Sequence, residues 1–587
     1  MAVPRLHSPA SPAASRTAPQ PTPAEASVAE AVEVYHRTYT TLLRSSGEMR
    51  LKVLEMSHKA MGASLHPLAA SAEVDLGAFL YAVRRLPEAV LGAQRVVMGQ
   101  SFEVFARHGF ASLDSWQEVS APGRRRRWYH DGRGTLAVLI ASASDVDDLV
   151  PTLVALEIEW NKLHLKLHAC GWNEARSVPG PEDCAATLGG REDDWAQLDE
   201  VWGASFASRV AAVAARKLGL RVRMLGGTQV GYARVTRRWW EQVAAVQRAE
   251  GLADRPLYFV SSNSHSLVNL VSGTAQRCEG DLVNYVQNLG SAELRAELGR
   301  FRDGLTEGNW SNFLYYVARE WYRSLPDDSA EHRARRDAER RLGIFHVGSR
   351  TALDVAAQVI ALETLDPACF DARLGDVDAT ALAASRAVVV NIDYPLGLAA
   401  YNILREIAET AGDLRGVYIL GKAATLNADV GDVMISNVIH DEHSGSTYWL
   451  DNVFDVQDIA PWLRFGSGLD NQRAVTVKGT FLQNHGYLDF YYREAFTVVE
   501  MEAGPYCAAV YELSESGRYP TGEPVNFSKL PIDLGVIHYA SDTPFTQART
   551  LGARGLSYYG MDSTYASSVA IMRRILRREG ALRDQAA

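Results

Sequence analysis

Val498-Val499-Glu500-Met501-Glu502-Ala503-Gly504 is the stretch on which the fold turns. Two β-branched residues lead into two carboxylates flanking a methionine, and Ala503, Gly504, Ala508 and Ala509 then give a helix face of small residues. That order predicts a strand turning into a closely packed helix, since β-branched side chains suit a pleated sheet. At such junctions open α/β sheets place their ligands, so the carboxylates mark a candidate site. The competing reading makes Glu500 and Glu502 helix N-terminal acids favoured by the macrodipole.

Outward from this stretch, strand patterns alternate with helical ones from Leu342 to about Leu576. The alternation predicts an α/β domain over residues 343–587, a mixed sheet with helices on both faces. A densely charged segment before it predicts an exposed linker helix over 329–342. Residues 28–328 read as a mostly helical region with some strands: Val32, Tyr35, Tyr39, Leu42 and Leu43 recur at helical spacing, and helices are expected to about residue 120. Residues 135–142 form a strand pattern, after which Ser144 and Asp147 resemble a capping box. Residues 1–27 are Ala, Pro and Ser with scattered Arg, too poor in apolar surface to offset chain entropy, and are expected to be a disordered tail.

The net charge of −10 over 587 residues argues against general attraction to nucleic acid or anionic membrane. Five scattered cysteines, none in a C-x-x-C pair, point to a reducing compartment rather than a disulfide frame. With no run of eighteen apolar residues and no signal-peptide core, a cytoplasmic location is expected.

Three clusters carry weighed readings. Arg124-Arg125-Arg126-Arg127-Trp128-Tyr129 could grip a phosphate or single strand, but a solvated loop run suits the acidic chain better, with contact to another domain as runner-up. Glu157, Asn161, His164 and His168 share a helix face; with Cys170 the histidines could hold a metal, though a plain polar face is commoner, and no metal is assigned. Residues 256–265 end in hydroxyl and amide side chains that either face a ligand or cap the next helix.

The Glu500-Met501-Glu502-Ala503 run resembles the ribose-binding signature of the nucleoside phosphorylase and nucleosidase superfamily. The resemblance implies that Met501 lies against the sugar and Glu502 accepts from ribose hydroxyls, with Glu500 beside them. Two further segments match in order. Gly421-Lys422-Ala423-Ala424, read as a loop after a strand over 417–420, precedes a Gly431-Asp432 strand as in the family's central signature, and Ser541-Asp542 closes an apolar strand where the family keeps its acid. Asp542 is then the general acid, with Ser541 beside it: a leaving base gathers negative charge and needs a proton, which burial helps an aspartate to keep. The bland reading of Ser541-Asp542 is a helix cap.

The resemblance also implies an aromatic over the base, Tyr487 first and Phe481 second, either of which could instead be core. Gly348 and Arg350, at a strand-to-helix turn, make an anion site or an ordinary turn. Lys422 replaces the usual hydroxyl and Ala424 a glycine, so Gly421 and Lys422 either hold a phosphate or leave the lysine facing solvent. Residues 517–531 read as an inserted loop able to lid the pocket. The implied function is N-glycosidic cleavage of a nucleoside or nucleotide without a cofactor, by water or phosphate, in a homo-oligomer. The alternative is a nucleoside- or nucleotide-binding sensor or scaffold that does not turn over.

Overall fold

The computed structural model describes residues 23–45, 47–110, 112–172, 180–515, 518–543 and 558–582. Residues 1–22 of the expected tail lie outside these. Residues 23–27 do not belong to a tail, because helix α1 (Pro23–Ser45) begins with them and its Val32, Tyr35, Tyr39 and Leu43 are buried.

The chain is mixed α/β throughout, built on two sheets. The smaller has the order β1-β6-β2-β5-β4-β3, from β1 (Met49–Arg50), β2 (Arg95–Gly99), β3 (Gln117–Ala121), β4 (Arg124–His130), β5 (Thr135–Leu139) and β6 (Arg221–Leu225). Helices α2 (Leu76–Arg85) and α3 (Ala143–Ala169) pack together over it. The expected run of helices to residue 120 is therefore interrupted by strands: Val96, Val97 and Met98 are fully buried, the sign of a central parallel strand. The opening of α3 also differs from expectation by two residues. Asp145, not Asp147, closes it, accepting from the N–H groups of Ala141 (2.7 Å) and Ser142 (3.1 Å). Ser144 reaches elsewhere, accepting from Leu398 N–H at 2.9 Å.

The larger sheet runs β16-β13-β12-β14-β15-β11-β7-β10-β9-β8, with β17 pairing to β11 and β12. Its strands are β7 (Leu257–Ser262), β8 (Ile344–Val347), β9 (Ala357–Ala361), β10 (Val388–Asp393), β11 (Leu414–Thr425), β12 (Val433–Asp441), β13 (Ser446–Trp449), β14 (Gly468–Thr476), β15 (Val498–Glu500), β16 (Pro524–Asn526) and β17 (Asp533–Asp542). β7 lies between β10 and β11, parallel to both, so this sheet recruits a strand from well before residue 343. That corrects a division at 329–342: the charged helix Ala330–Arg341 is real, but it lies between two strands of one sheet. β16 likewise falls inside the expected inserted loop and extends the sheet edge by pairing with β13. Among the described residues no helix is long and apolar enough to cross a membrane.

Candidate active site

β11 organises the site. β17 pairs along one edge from Gly416 to Ala424; the other edge is taken by β7 up to Ile419 and by β15 at Ala424–Thr425. Gly421, Lys422 and Ala423 border the gap between β7 and β15, and the chain leaves β15 there through Glu500, Met501 and Glu502. Asp542, paired with Ala424, ends β17 beside them. Three segments far apart in sequence thus meet at the ends of adjacent strands.

Glu500 is buried. One carboxylate oxygen accepts from the N–H groups of Glu502 (2.6 Å) and Ala503 (2.7 Å), and the other from the Thr476 hydroxyl. Both oxygens are spent on the strand-to-helix turn, so Glu500 holds the fold instead of offering itself to a substrate. Burial pushes its carboxyl up to about 7 against those hydrogen bonds, with Asp441 adding to the rise. The small-residue face has a steric reason: a Cβ on Gly504 would stand 2.6 Å from the Asp441 Cβ and 2.7 Å from Thr476 Oγ1.

Glu502 occupies the residue before the helix Ala503–Ser514, makes no side-chain capping bond to it and remains partly accessible. Burial and the neighbouring Glu500 push its carboxyl up to about 8, while Arg124 and Lys422 pull it down. Asp542 is 4% exposed and lies 2.6 Å from the Ser541 hydroxyl, which also sits 3.2 Å from the Ala423 carbonyl. Met501 and Tyr487 pack against one apolar cluster that includes Ala424, Leu426, Val499 and Tyr491, and Tyr487 stacks on Tyr491 at 6.2 Å.

Four expected residues lie otherwise. Phe481 belongs to the core of the smaller sheet's half, 2% exposed and packed on Tyr81 (5.1 Å), His58 and His66, so it offers no free face to a base. Gly348 and Arg350 are exposed in the connection between antiparallel β8 and β9; no helix starts near residue 353, and the anion geometry of a strand-to-helix turn is missing. Gly421 is inside β11, which runs to Thr425 where a loop was expected. Its missing side chain makes room for His538, whose ring carbon lies 3.3 Å from where a Cβ would be.

The smaller half contributes charged residues near these strand ends. The four-arginine run is not a loop but strand β4, and alternation splits its duties. Arg124 binds Asp148 with two nitrogens (3.0 and 2.8 Å), and Arg126 bridges Asp145 (2.8 Å) and Asp148 (2.7 Å). Burial disfavours the Asp148 charge, yet the two guanidiniums hold it well below the usual carboxylate range. Arg125 points the other way, to Asp393 and the Tyr394 carbonyl, both at 2.6 Å, which realises the contact between domains. From α2, Arg85 sits 3.4 Å from the centre of the Tyr81 ring; burial lowers its pKa to about 10, and Asp542 is among the charges that support it. No local pattern marks Arg85 or Tyr81, whereas Arg124 lies in the conspicuous arginine run.

The remaining clusters serve packing. Glu157, Asn161, His164 and His168 bind backbone groups of residues 213–220, as in His164 Nδ1 to the Val213 carbonyl at 2.8 Å and Leu220 N–H to Glu157 at 2.7 Å. Asn263 caps the helix Ser266–Ser272 by accepting from Ser266 N–H at 2.7 Å.

The model of a family of unknown function, DUF6909, matches residues 51–577. No curated protein matches the chain. Among solved structures, uridine phosphorylase from Schistosoma mansoni in complex with uracil is 11% identical, covering 56% of this chain and 89% of that one, with a TM-score of 0.28. 5'-Methylthioadenosine/S-adenosylhomocysteine nucleosidase from Neisseria meningitidis is 12% identical, covering 41% and 94%, with a TM-score of 0.26. Methylthioadenosine phosphorylase from an antarctic soil metagenomic library is 9% identical, covering 32% and 70%, with a TM-score of 0.25. Likenesses this slight carry no argument about function.

Proposed function

The chain belongs to DUF6909, and we propose that it cleaves the N-glycosidic bond of a nucleoside or nucleotide. The observation that carries this reading is the placing of Glu502 and Asp542 at the ends of strands adjoining β11, with Arg124 and Arg85 of the other half near enough to act on them electrostatically.

Breaking the bond leaves positive charge on the sugar and negative charge on the base. Asp542, buried beside the Ser541 hydroxyl, is placed to share a proton with the departing base. Glu502, with Arg124 and Lys422 near it, accepts from the ribose hydroxyls once ionised and faces the developing sugar cation. Met501 and Tyr487 supply the apolar border for sugar and base. Water suits the acceptor role better than phosphate at the turn and loop expected to hold an anion, because Gly348, Arg350 and Gly421 lack loop-to-helix geometry. A cytoplasmic homo-oligomer is part of the same proposal.

A second reading, a sensor that binds without turnover, is favoured by the pairing of Arg124 with Asp148, which occupies a guanidinium that acts on Glu502. One experiment separates the two. Purified protein is incubated with nucleosides and 5′-nucleotides, with and without phosphate, and free base is measured by chromatography beside Asp542→Asn. Hydrolysis predicts base release without phosphate, falling by about 10²–10⁴-fold in the variant. Undiminished release in Asp542→Asn removes the acid assignment; no release from any substrate, with binding seen by calorimetry, makes the sensor reading the better one.

A further inference from the structure

A cavity of about 170 Å³ lies on the seam between the two halves, and neither Glu502 nor Asp542 lines it. Helix α1 supplies one wall with Val32, Glu33 and His36. Glu442, just past β12, and Lys478, just past β14, supply a second, and Tyr487 and Tyr491 on the helix His485–Arg493 a third. An apolar cavity of about 150 Å³ is enough to hold a benzene ring. This one therefore suits a single small ring or a chain of similar bulk and is too small for a whole nucleoside.

The charges around it do not balance. Among the described residues Glu442 receives hydrogen bonds from neutral donors alone: the Tyr491 hydroxyl at 2.7 Å, the Lys478 N–H at 3.0 Å, and Gln483 Nε2 at 3.3 Å from both oxygens. The Lys478 ammonium turns instead to Glu33, at 3.3 Å. One lysine thus serves two carboxylates, and burial pushes Glu442 up against the donors around it. The histidines on the walls do not supply the missing charge. His36 is matched by Asp147 at 3.3 Å; His440 lies 3.0 Å from the Thr447 hydroxyl, and burial holds its pKa below the ordinary imidazole value.

Two further features call for a positively charged donor. Gln483 is 4% exposed, and the oxygen of the amide that donates to Glu442 has no partner among the described residues. The two tyrosine rings border the same space, and aromatic faces attract cations. We propose that this cavity binds a small organic cation, with its ammonium between Glu33 and Glu442 and its apolar body against Val32, Leu482 and the tyrosines. A protonated amine brings one positive charge, which offsets the surplus carboxylate, and several N–H donors, which suit an acceptor left unpaired by burial. Of the residues proposed for the nucleoside only Tyr487 is shared, so the inference stands whether or not a glycosidic bond is cleaved.

Calorimetric titration of the full chain with benzylamine, benzyl alcohol and benzoate tests it, since the three share one ring of suitable size and differ in charge. Benzylamine should bind at least about tenfold tighter than either of the others. That preference should fall about tenfold in Glu442→Gln, which keeps an acceptor for Tyr491, and about threefold in the more exposed Glu33→Gln, with far-UV circular dichroism unchanged. The two acids come from opposite halves, so loss in both variants places the amine between them. If Glu442→Gln misfolds, Glu33→Gln and the wild-type ranking decide. Benzylamine binding no tighter than benzyl alcohol, tighter binding of benzoate, no binding of benzylamine, or an undiminished preference in either folded variant overturns the inference. Free-base release from nucleosides is read separately, so the glycosidase reading can fail while amine binding holds, and the reverse.

Discussion

Buried carboxylates occur in both halves of the molecule and are treated differently. In the smaller half Glu159 is fully buried and surrounded by donors: His66 Nε2 at 2.7 Å, Lys162 Nζ at 2.6 Å and Asp75 N–H at 2.6 Å. The chain of contacts continues through His58 to the Tyr35 hydroxyl, at 3.0 and 3.1 Å. Asp148 is likewise held by Arg124 and Arg126. In the larger half Glu500 and Glu502 lie beside each other, and the direct donors of Glu500 are a hydroxyl and two peptide groups. Bound guanidiniums turn Asp148 into a structural strut, whereas at the β15 end burial without a bound guanidinium raises both carboxyls.

The largest test of this contrast is Asp148→Ala, which takes the carboxylate from Arg124 and leaves buried Arg126 with Asp145 alone. It should cost about 3–5 kcal/mol of stability in urea denaturation; a loss below about 1 kcal/mol would show that the pairs are not struts.

Next comes the pH dependence of stability. Burial raises Glu500 and Glu502 to about 7 and about 8 in the folded chain, above their unfolded values. Between about pH 4.5 and 8 the folded state therefore holds protons that the unfolded state has released, and stability from these groups falls as pH rises through that window. Below it both states are protonated and nothing is lost. Glu502→Gln removes one such proton, flattening the slope by up to about 1.4 kcal/mol per pH unit. Denaturation curves at a series of pH values read this, and an unchanged slope would mean Glu502 ionises normally.

Arg125→Ala should do least. Its side chain is 42% exposed, so the pair with Asp393 is worth about 0–1 kcal/mol despite its short distance. A larger loss would mean that the exposed members of β4 hold the halves together as firmly as the buried ones.

Legibility follows the range of the interactions. The strand before Glu500, the helix after it and the need for Gly504 are readable because they are local: β-branched residues, then small ones. The buried helix face of Val32, Tyr35 and Tyr39 is readable for the same reason, through its spacing. Gly421 to Thr425 reads as a loop because glycine and alanine mark turns as readily as close packing, and only the His538 ring opposite Gly421 distinguishes the two. Gly348 and Arg350 promise an anion site on the assumption of a following helix. Antiparallel pairing of β8 with β9 decides otherwise, through partners distant in sequence. The arginine run is conspicuous in the sequence, but its division into two faces depends on its being a strand.

By itself the sequence determined the α/β class, the strand-to-helix turn at Glu500 to Gly504 and the acid at the end of β17, since periodicity and residue size act over a few neighbouring positions. Tertiary structure alone decided that β7 crosses into the larger sheet, that Phe481 enters the other half's core and that Arg124 and Arg85 come near enough to Glu502 and Asp542 to act on them electrostatically. Those arrangements depend on which distant surfaces exclude water together and which buried charges find partners. Neither quantity is written in any local stretch of the chain.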